Sequence, residues 1–407
     1  MKNNKKIKSI KIALILFLLL FPQIVYPDYD LGSVYLNEID GDVQIKSESL
    51  GQWFPASINT PLIEGDSLWI PDNAKLSLML SSGSFVRAAS NSTVQIIHKS
   101  SQASQFYIPE GQVYVNFKPA GTDMIQVDSP NTSLRCFERA VFTVTVTNKN
   151  ETEIRVLLGQ VLAETQSGKT TINSGSTLYM SSQSYASLYP NGNYTAWESW
   201  NRDRDLRVET SASGQSYMPE ELNHYSYTLS NNGKWMIDND YGYVWTPNAA
   251  YTVGWSPYSV GKWTWIGDDY IWISYEPWGW LPYHYGRWIF LNKSGWCWTP
   301  PKPGQVHWGP GFVGWIYTPK YVAWFPLGPK HVYYGFGYYG PNSLNIGKNT
   351  VSVYNADSIY KDIFSNKGVI LVSAGDFISG NYRPLNSITN PFKAGDVYFG
   401  RPRATAS

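Results

Sequence analysis

Apolar and polar residues alternate with a period of two through most of residues 31–188. Turn signals rich in Gly, Ser, Asn and Pro separate the alternating runs. Because this period turns one face of a strand to the core and the other to solvent, each run predicts a half-buried β-strand. Residues 31–188 are therefore predicted to form an antiparallel β-sandwich or jelly roll. The clearest runs are Lys75–Leu80, Thr93–Ile97, Gln112–Phe117, Val141–Val146 and Glu153–Leu158.

A different pattern fills residues 233–332, where aromatic residues, glycine and proline are dense. This segment holds 14 of the 18 tryptophans, and six Trp-x-Pro triplets lie between Trp245 and Pro326. Proline removes a backbone donor and keeps the preceding residue extended, while Trp and Tyr favour pleated surfaces. The segment therefore predicts short strands closed by tight turns.

The aromatic segment also repeats itself. A Gly-x-Trp triplet lies ten residues before a Trp-Thr-Pro triplet twice, from Trp235 to Trp245 and from Trp288 to Trp298. A third Gly-x-Trp triplet, at Gly261, opens a degenerate copy between them. Three units are too few for a closed propeller, so the repeat predicts stacked β-hairpins.

Three further segments complete the chain. Residues 190–232 are predicted to be an exposed linker with one short helix, Trp197–Arg207, whose charges can pair along its surface. Residues 333–400 are a predicted C-terminal extension, with a helix over 358–364 and a strand over 369–372. The end, residues 401–407, is predicted to be disordered. The whole chain is thus predicted to be all-β and mainly antiparallel, with a sandwich, a short helical linker and a Trp/Pro-rich hairpin module.

Residues 1–26 are predicted to be a signal peptide. Five lysines precede Ile12–Phe21, a run of ten apolar residues, and a bilayer-spanning helix needs about 20. This predicts export to the periplasm or the cell exterior. No small-x-small cleavage pattern follows, so an uncleaved anchor, with membrane contact through it alone, stays an alternative. Without residues 1–26 the formal charge is 27 − 31 = −4, which argues against nucleic acid as a partner.

Candidate catalytic groups are few. Asp268, Asp269 and Glu276 lie among tryptophans, and paired carboxylates flanked by aromatic rings suit a glycosidase, so a carbohydrate-active enzyme is one alternative. The same residues also fit turn signals, backbone hydrogen bonds or a pair between Glu276 and Arg287. We expect the structural roles, and therefore no enzyme and no catalytic residues.

Metal and cofactor chemistry finds no support either. The five histidines show no compact ligand spacing, and Cys136 and Cys297 predict two buried thiols. Gly335–Gly340 fits a dinucleotide-binding glycine pattern, but Pro341 follows it where that pattern needs a helix. No metal and no cofactor are predicted.

The surplus of aromatic rings suggests a binding surface. Most rings must fill the core of a module that has few aliphatic residues. Rings left over beside Gly and Pro turns would form exposed platforms for sugar faces, proline-rich segments or cations. The predicted partners are a cell-wall glycan or an envelope protein. The candidate platform residues are Trp265, Trp272, Trp278, Tyr283 and Tyr285.

The first part of the chain resembles the FecR domain. The motifs and their order that carry the resemblance are Leu62–Asp66, Ser82–Arg87, Ile108–Tyr114, Ile125–Pro130, Val141–Val144 and Val156–Val161. Glu138–Phe142 departs from the Gly-Thr pair that such domains usually carry. FecR regulators are transmembrane proteins that bind a sigma factor with a cytoplasmic segment and sense an outer-membrane receptor from the periplasm. Only 11 residues precede the apolar run here, so sigma-factor regulation is not expected to carry over.

The aromatic part resembles a Trp/Tyr-rich domain family of unknown function that follows a FecR domain in many exported bacterial proteins. The resemblance implies architecture and compartment. We therefore expect a non-enzymatic binding or scaffolding protein of the bacterial envelope, with a periplasmic signalling sensor related to FecR regulators as the alternative. The motifs are Trp197–Asp205, Tyr241–Pro247, Tyr275–Trp288, Gly295–Pro300, Trp324–Pro329 and Gly368–Gly380.

Overall fold

The computed structural model describes residues 31–48, 51–147, 151–181, 186–212, 217–345, 368–385, 392 and 398–402. The predicted signal peptide, the helix predicted over 358–364 and residues 403–407 of the predicted tail lie outside these residues. Strands dominate the described chain and most pair antiparallel, which confirms the all-β prediction. None of the described helices is long and apolar enough to cross a bilayer.

The first domain is a β-sandwich. Its strands are β1 (Val34–Asp40), β2 (Gln44–Lys46), β3 (Trp53–Pro55), β4 (Ser67–Ile70), β5 (Lys75–Leu80), β6 (Phe85–Ala88), β7 (Ser92–Lys99), β8 (Ala103–Phe117), β9 (Met124–Asp128), β10 (Thr132–Cys136), β11 (Ala140–Val146), β12 (Thr152–Leu158), β13 (Gln160–Thr165), β14 (Gly168–Asn173), β15 (Ser176–Met180) and β16 (Ala186–Pro190). One sheet has the order β1-β5-β6-β8-β11-β12-β15-β16, and the other has β3-β2-β4-β7-β8-β9-β10-β13-β14. Their apolar faces enclose one aliphatic core.

Strand β8 joins the two sheets. Its first half pairs with β7 and β9, and its second half pairs with β6 and β11. Gly111 lies at the change of sheet with a φ of 94°, and a Cβ there would lie 2.4 Å from the Cα of Ser92. Only glycine fits this conformation and this approach.

Helices connect the sandwich to the aromatic module. They are α1 (Ala196–Ala212), a 3-10 helix (Glu220–Tyr225) and α2 (Ser226–Asn232). Thr195 and Glu198 form a capping box, since each side chain accepts the backbone N–H of the other residue. The predicted helix is therefore present, but the prediction of an exposed connection after it is wrong, because Leu222, Tyr225 and Leu229 are buried against tryptophans of the module.

The aromatic module consists of β-hairpins. Its elements are β17 (Gly233–Asp238), β18 (Gly242–Pro247), a 3-10 helix (Asn248–Tyr251), β19 (Gly261–Ile266), β20 (Asp269–Ser274), α3 (Trp280–His284), β21 (Arg287–Leu291), β22 (Gly295–Thr299), β23 (Val313–Tyr317), β24 (Tyr321–Pro326), β25 (Tyr333–Gly335), β26 (Ser343–Asn345), β27 (Ile370–Ser373), α4 (Ala374–Ser379) and β28 (Tyr398–Phe399). The sheets are β17-β18-β22-β21, β19-β20, β27-β24-β23-β28 and the parallel pair β25-β26. Strand β27 confirms the strand predicted over 369–372.

A cross-strand tryptophan pair marks each of four hairpins. The opposed pairs are Trp235–Trp245, Trp263–Trp272, Trp288–Trp298 and Trp315–Trp324. The first and third are the two copies predicted from the ten-residue spacing, and the second is the degenerate copy. The fourth, in β23–β24, was not predicted. Aromatic cross-strand pairs stabilise hairpins directly.

The first position of each Gly-x-Trp triplet requires glycine for steric reasons. A Cβ on Gly233 would lie 2.6 Å from the ring of Trp245, and one on Gly286 would lie 2.7 Å from the ring of Trp298. The tryptophan of the second strand therefore lies directly over the glycine of the first. This contact explains why the two triplets recur together.

Candidate functional site

The candidate platform residues are largely interior. Trp272, Trp278, Tyr283 and Tyr285 are buried, and only Trp265 reaches solvent, with 38% of its surface exposed. The expectation of an exposed platform is therefore wrong for four of the five residues. Since the module has few aliphatic side chains, these rings supply its core, packing edge-to-face and stacked with their neighbours.

Glu276 lies in this core beside the sandwich. Its carboxylate accepts hydrogen bonds from the Tyr283 hydroxyl and from Trp255 Nε1, the latter at 2.9 Å. Its backbone carbonyl accepts a bond from Asn59 Nδ2 of the sandwich at 2.9 Å. Burial raises the pKa of Glu276 to about 7, against the opposing effect of these donors. Arg287 is not its partner: that guanidinium lies 3.7 Å from the ring centroid of Phe312.

Asp269 has a separate environment. Its Oδ1 lies 2.9 Å from Nε of Arg401 and accepts the backbone N–H of Tyr270 at 2.8 Å. Burial raises the pKa of Asp269 to about 6, although Arg401 lowers it. Asp269 and Glu276 share no hydrogen-bond partner among the described residues. Their partners are side chains and backbone groups of the chain itself.

The remaining titratable candidates are buried. His284 Nδ1 lies 2.7 Å from the carbonyl oxygen of Gly309, and burial lowers the pKa of this histidine to about 4, so its ring is neutral. Cys136 and Cys297 are both buried and free, which confirms that prediction. Within the described residues, no group of three or more His, Cys, Asp or Glu side chains could hold a metal ion.

The sandwich and the module share a buried interface. Tyr35 of β1 stacks on Trp280 of α3, with ring centroids 3.9 Å apart and planes 5° apart. Asn59 donates its side-chain N–H groups to the carbonyl oxygens of Ser274 and Glu276, at 3.0 and 2.9 Å. Tyr35 therefore belongs to the aromatic core of the second domain rather than to the aliphatic core of the first.

Helix α1 is fixed to the sandwich by buried charges. Arg87 Nη1 lies 2.7 Å from Asp205 Oδ1, and the Tyr114 hydroxyl donates to Asp205 Oδ2 at 2.8 Å. Arg155 Nε lies 2.9 Å from Glu198 Oε1. The charges of α1 were predicted to pair along a solvated surface. Instead, Glu198 and Asp205 point into the sandwich.

The sandwich carries an exposed aromatic surface that sequence reasoning missed. Trp53 and Trp69 are 48% and 45% exposed. Trp53 lies opposite Lys46 and Trp69 opposite Gln44 on the central strand β2, so all four side chains share the outer face of the sheet. We call these four residues the edge patch. Within the described chain, β3 pairs only with β2, so the patch lies at an edge of the sheet.

Comparison with known proteins matches two separate segments of the chain to family models. Residues 66–162 match the FecR protein family, and residues 226–331 match a family of unknown function, DUF6600. These matches confirm the two resemblances. No curated protein matches the chain.

Two solved structures are similar to part of the chain. Both are of a "putative anti-sigma factor" from Parabacteroides distasonis ATCC 8503, each 10% identical with a TM-score of 0.29. The first match covers 31% of this chain and 59% of that one, and the second covers 40% and 72%. Similarity at this level carries no functional conclusion.

Proposed function

We propose that this protein, which joins a FecR domain to a DUF6600 domain, is a non-enzymatic regulator of the bacterial envelope that acts by binding another protein. The observation that carries the proposal is the edge patch of the sandwich. Two half-exposed tryptophans share one sheet face with a lysine and a glutamine. Tryptophan is enriched among the residues that dominate protein–protein binding energy.

The division of aromatic residues supports this role. The DUF6600 domain buries most of its tryptophan rings in its own core, which also includes Tyr35 of the sandwich, so few of its tryptophans are available to a partner. Of the five candidate residues for a glycan-binding platform in that domain, only Trp265 is exposed. An envelope location is supported by the lysine-rich start and the apolar run Ile12–Phe21. We also propose that the protein is not an enzyme.

Transcript profiling of the producing bacterium tests the role. We expect deletion of the protein to change the expression of a defined set of genes, as loss of a regulator does. A chromosomal Trp53→Ala/Trp69→Ala double variant should reproduce that change. The matched control is Tyr251→Ala, which removes an aromatic ring that is 69% exposed on the other domain, and it should leave the profile of the parent strain unchanged.

Protein level and fold must be equal in these strains for the comparison to hold. Immunoblots and thermal unfolding of the purified variants provide that check, and surface substitutions are expected to pass it. Transcript profiles that deletion leaves unchanged would contradict a regulatory role. If deletion changes the transcript profile but the double variant has the profile of the parent strain, the protein is a regulator and the edge patch is not its binding surface.

A further inference from the structure

Arg401 fills a cage made of aromatic rings and acidic-loop oxygens. Its guanidinium carbon lies 3.9 Å from the ring centroid of Phe336 and 4.7 Å from that of Trp265. Its Nε lies 2.9 Å from Asp269 Oδ1, and its Nη2 donates to the carbonyl oxygen of Asp268 at 2.7 Å. We call Trp265, Phe336, Asp269 and the Asp268 carbonyl the cation cage.

The geometry selects a guanidinium. Two ring faces contact a planar cation, which arginine supplies and the compact ammonium of lysine does not. The oxygens lie where two different nitrogens of one guanidinium can reach them. Both charged side chains are largely enclosed, with 14% of Arg401 and 13% of Asp269 exposed. The cage therefore recognises both the charge and the shape of its occupant.

One polar atom of the cage lacks a hydrogen-bond partner among the described residues. Asp269 Oδ2 is buried and accepts no hydrogen bond from any described residue. A carboxylate can bind arginine through both oxygens at once, and this is the stronger arrangement. Arg401 uses only Oδ1, so its fit to the cage is incomplete.

Arg401 is also held by a small element. It follows β28, which has two residues and pairs with β23 through Ile316–Phe399 and Tyr317–Tyr398. Among the described residues, β28 contributes only these two pairs to the sheet, and opening of so small an element exposes little apolar surface. The cage itself is built on the hairpin β19–β20 and on the residue after β25.

We propose that the cation cage is an arginine-binding site, which the chain's own Arg401 occupies and from which an arginine side chain of a protein partner displaces it. Arg401 is then an internal competitor that weakens binding to the cage until a better-fitting arginine arrives. This inference is independent of the edge patch, which lies on the other domain. It assigns to Trp265 a cation-binding role, and to Asp269 the role of counter-charge.

Ligand-observed NMR with Nα-acetyl-arginine amide tests the site. The probe should bind Arg401→Ala about ten-fold more tightly than the parent protein, because the internal competitor occupies most of the parent sites. Adding Asp269→Asn to that variant should abolish the gain. Adding Asp268→Asn should preserve it, since Asp268 contributes only its backbone oxygen. Nα-acetyl-lysine amide should bind Arg401→Ala more weakly than the arginine probe.

A second variant guards against a folding defect. Arg401→Gln keeps a polar side chain at the same place but carries no charge, and it should gain binding as Arg401→Ala does. Equal binding of the arginine probe by the parent protein and both variants would overturn the proposal. Retained binding in the Asp269→Asn combination, or equal binding of the lysine probe, would overturn it as well.

Discussion

Tyr35 of the sandwich and Trp280 of the aromatic module stack face to face, with ring centroids 3.9 Å apart. Both side chains are buried, and both belong to one aromatic core. The two domains therefore share interior and not only a linker. The two domains are therefore expected to unfold together.

Removing the Tyr35 ring should destabilise the whole protein. We expect Tyr35→Ala to lower the free energy of unfolding by about 3–5 kcal/mol, the usual effect of losing a large buried aromatic side chain. Urea titration followed by tryptophan fluorescence measures this loss. Tyr251→Ala, at an exposed position, should stay within about 0.5 kcal/mol of the parent protein. Equal midpoints for the two variants would show that the stacked pair contributes nothing.

Cleavage between the domains should not separate them. The exposed-linker interpretation predicts that brief proteolysis between residues 208 and 232 releases two folded pieces, but Leu222, Tyr225 and Leu229 are buried there. We expect a protease site introduced between Ala212 and Tyr217 to give two fragments that co-elute in gel filtration. Fragments that elute separately without denaturant would contradict an interior shared by the domains.

The buried tryptophans of the aromatic module should behave as core residues. Trp245, Trp288 and Trp298 are buried as the repeat predicts, and so are Trp272 and Trp278. Each alanine substitution should therefore cost about 3–5 kcal/mol, whereas Trp53→Ala, at a half-exposed position, should cost about 1 kcal/mol or less. Chemical denaturation of the six variants measures this. A mild effect at Trp272 or Trp278 would restore them as surface candidates.

The buried pair of Arg87 and Asp205 should be sensitive to the loss of one partner. Asp205→Ala leaves the Arg87 guanidinium buried without its carboxylate, which should cost about 3–5 kcal/mol. Asp203→Ala is the matched control, since Asp203 lies on the exposed side of the same helix. Thermal and urea unfolding of both variants provide the comparison. Similar stability of the two variants would show that helix α1 does not depend on this pair.

Stability should fall as the pH rises through the range where Glu276 loses its proton. Burial raises its pKa from 4.5 to about 7, so the native state holds the proton more tightly than the unfolded state. Its contribution is fully present below about pH 4.5 and is lost as the pH rises to about 7, a change on the order of 3 kcal/mol. Glu276→Gln cannot titrate and should flatten this part of the profile.

Urea midpoints of the parent protein and Glu276→Gln between pH 4.5 and 8 measure the effect. Burial also raises the pKa of Asp66 and of Asp269 to about 6, and these groups act in the same direction. They are present in both proteins, so the difference between the two profiles isolates Glu276. Parallel profiles would mean that Glu276 keeps an ordinary pKa.

Local patterns predicted the fold better than the site. Alternation predicted the sandwich strands because it is a property of neighbouring residues. The ten-residue spacing likewise predicted the hairpins of Trp245 and Trp298. The hairpin with Trp315 and Trp324 was missed because Gly314 directly precedes Trp315 and the Trp-Thr-Pro triplet is absent.

Exposure of individual rings could not be predicted in the same way. Whether Trp272 or Trp265 faces solvent depends on which hairpin packs against which, and that is a long-range property. The edge patch lies on strands too short to show a clear alternation. The contact of Tyr35 with Trp280, and that of Arg401 with Asp269, join residues far apart in the chain. Arg401 was expected in a disordered tail, and its buried ion pair corrects that expectation.

The closely spaced tryptophans also provide an intrinsic spectroscopic signal of the fold. Trp263 lies 5.2 Å from Trp272 and 4.5 Å from Trp315, and Trp315 lies 5.9 Å from Trp324, measured between ring centroids. At such separations the electronic transitions of neighbouring indoles couple, and excitation moves freely among the rings. A disturbance at one hairpin is therefore reported by its neighbours, and near-ultraviolet circular dichroism can follow the integrity of the DUF6600 domain without any attached label.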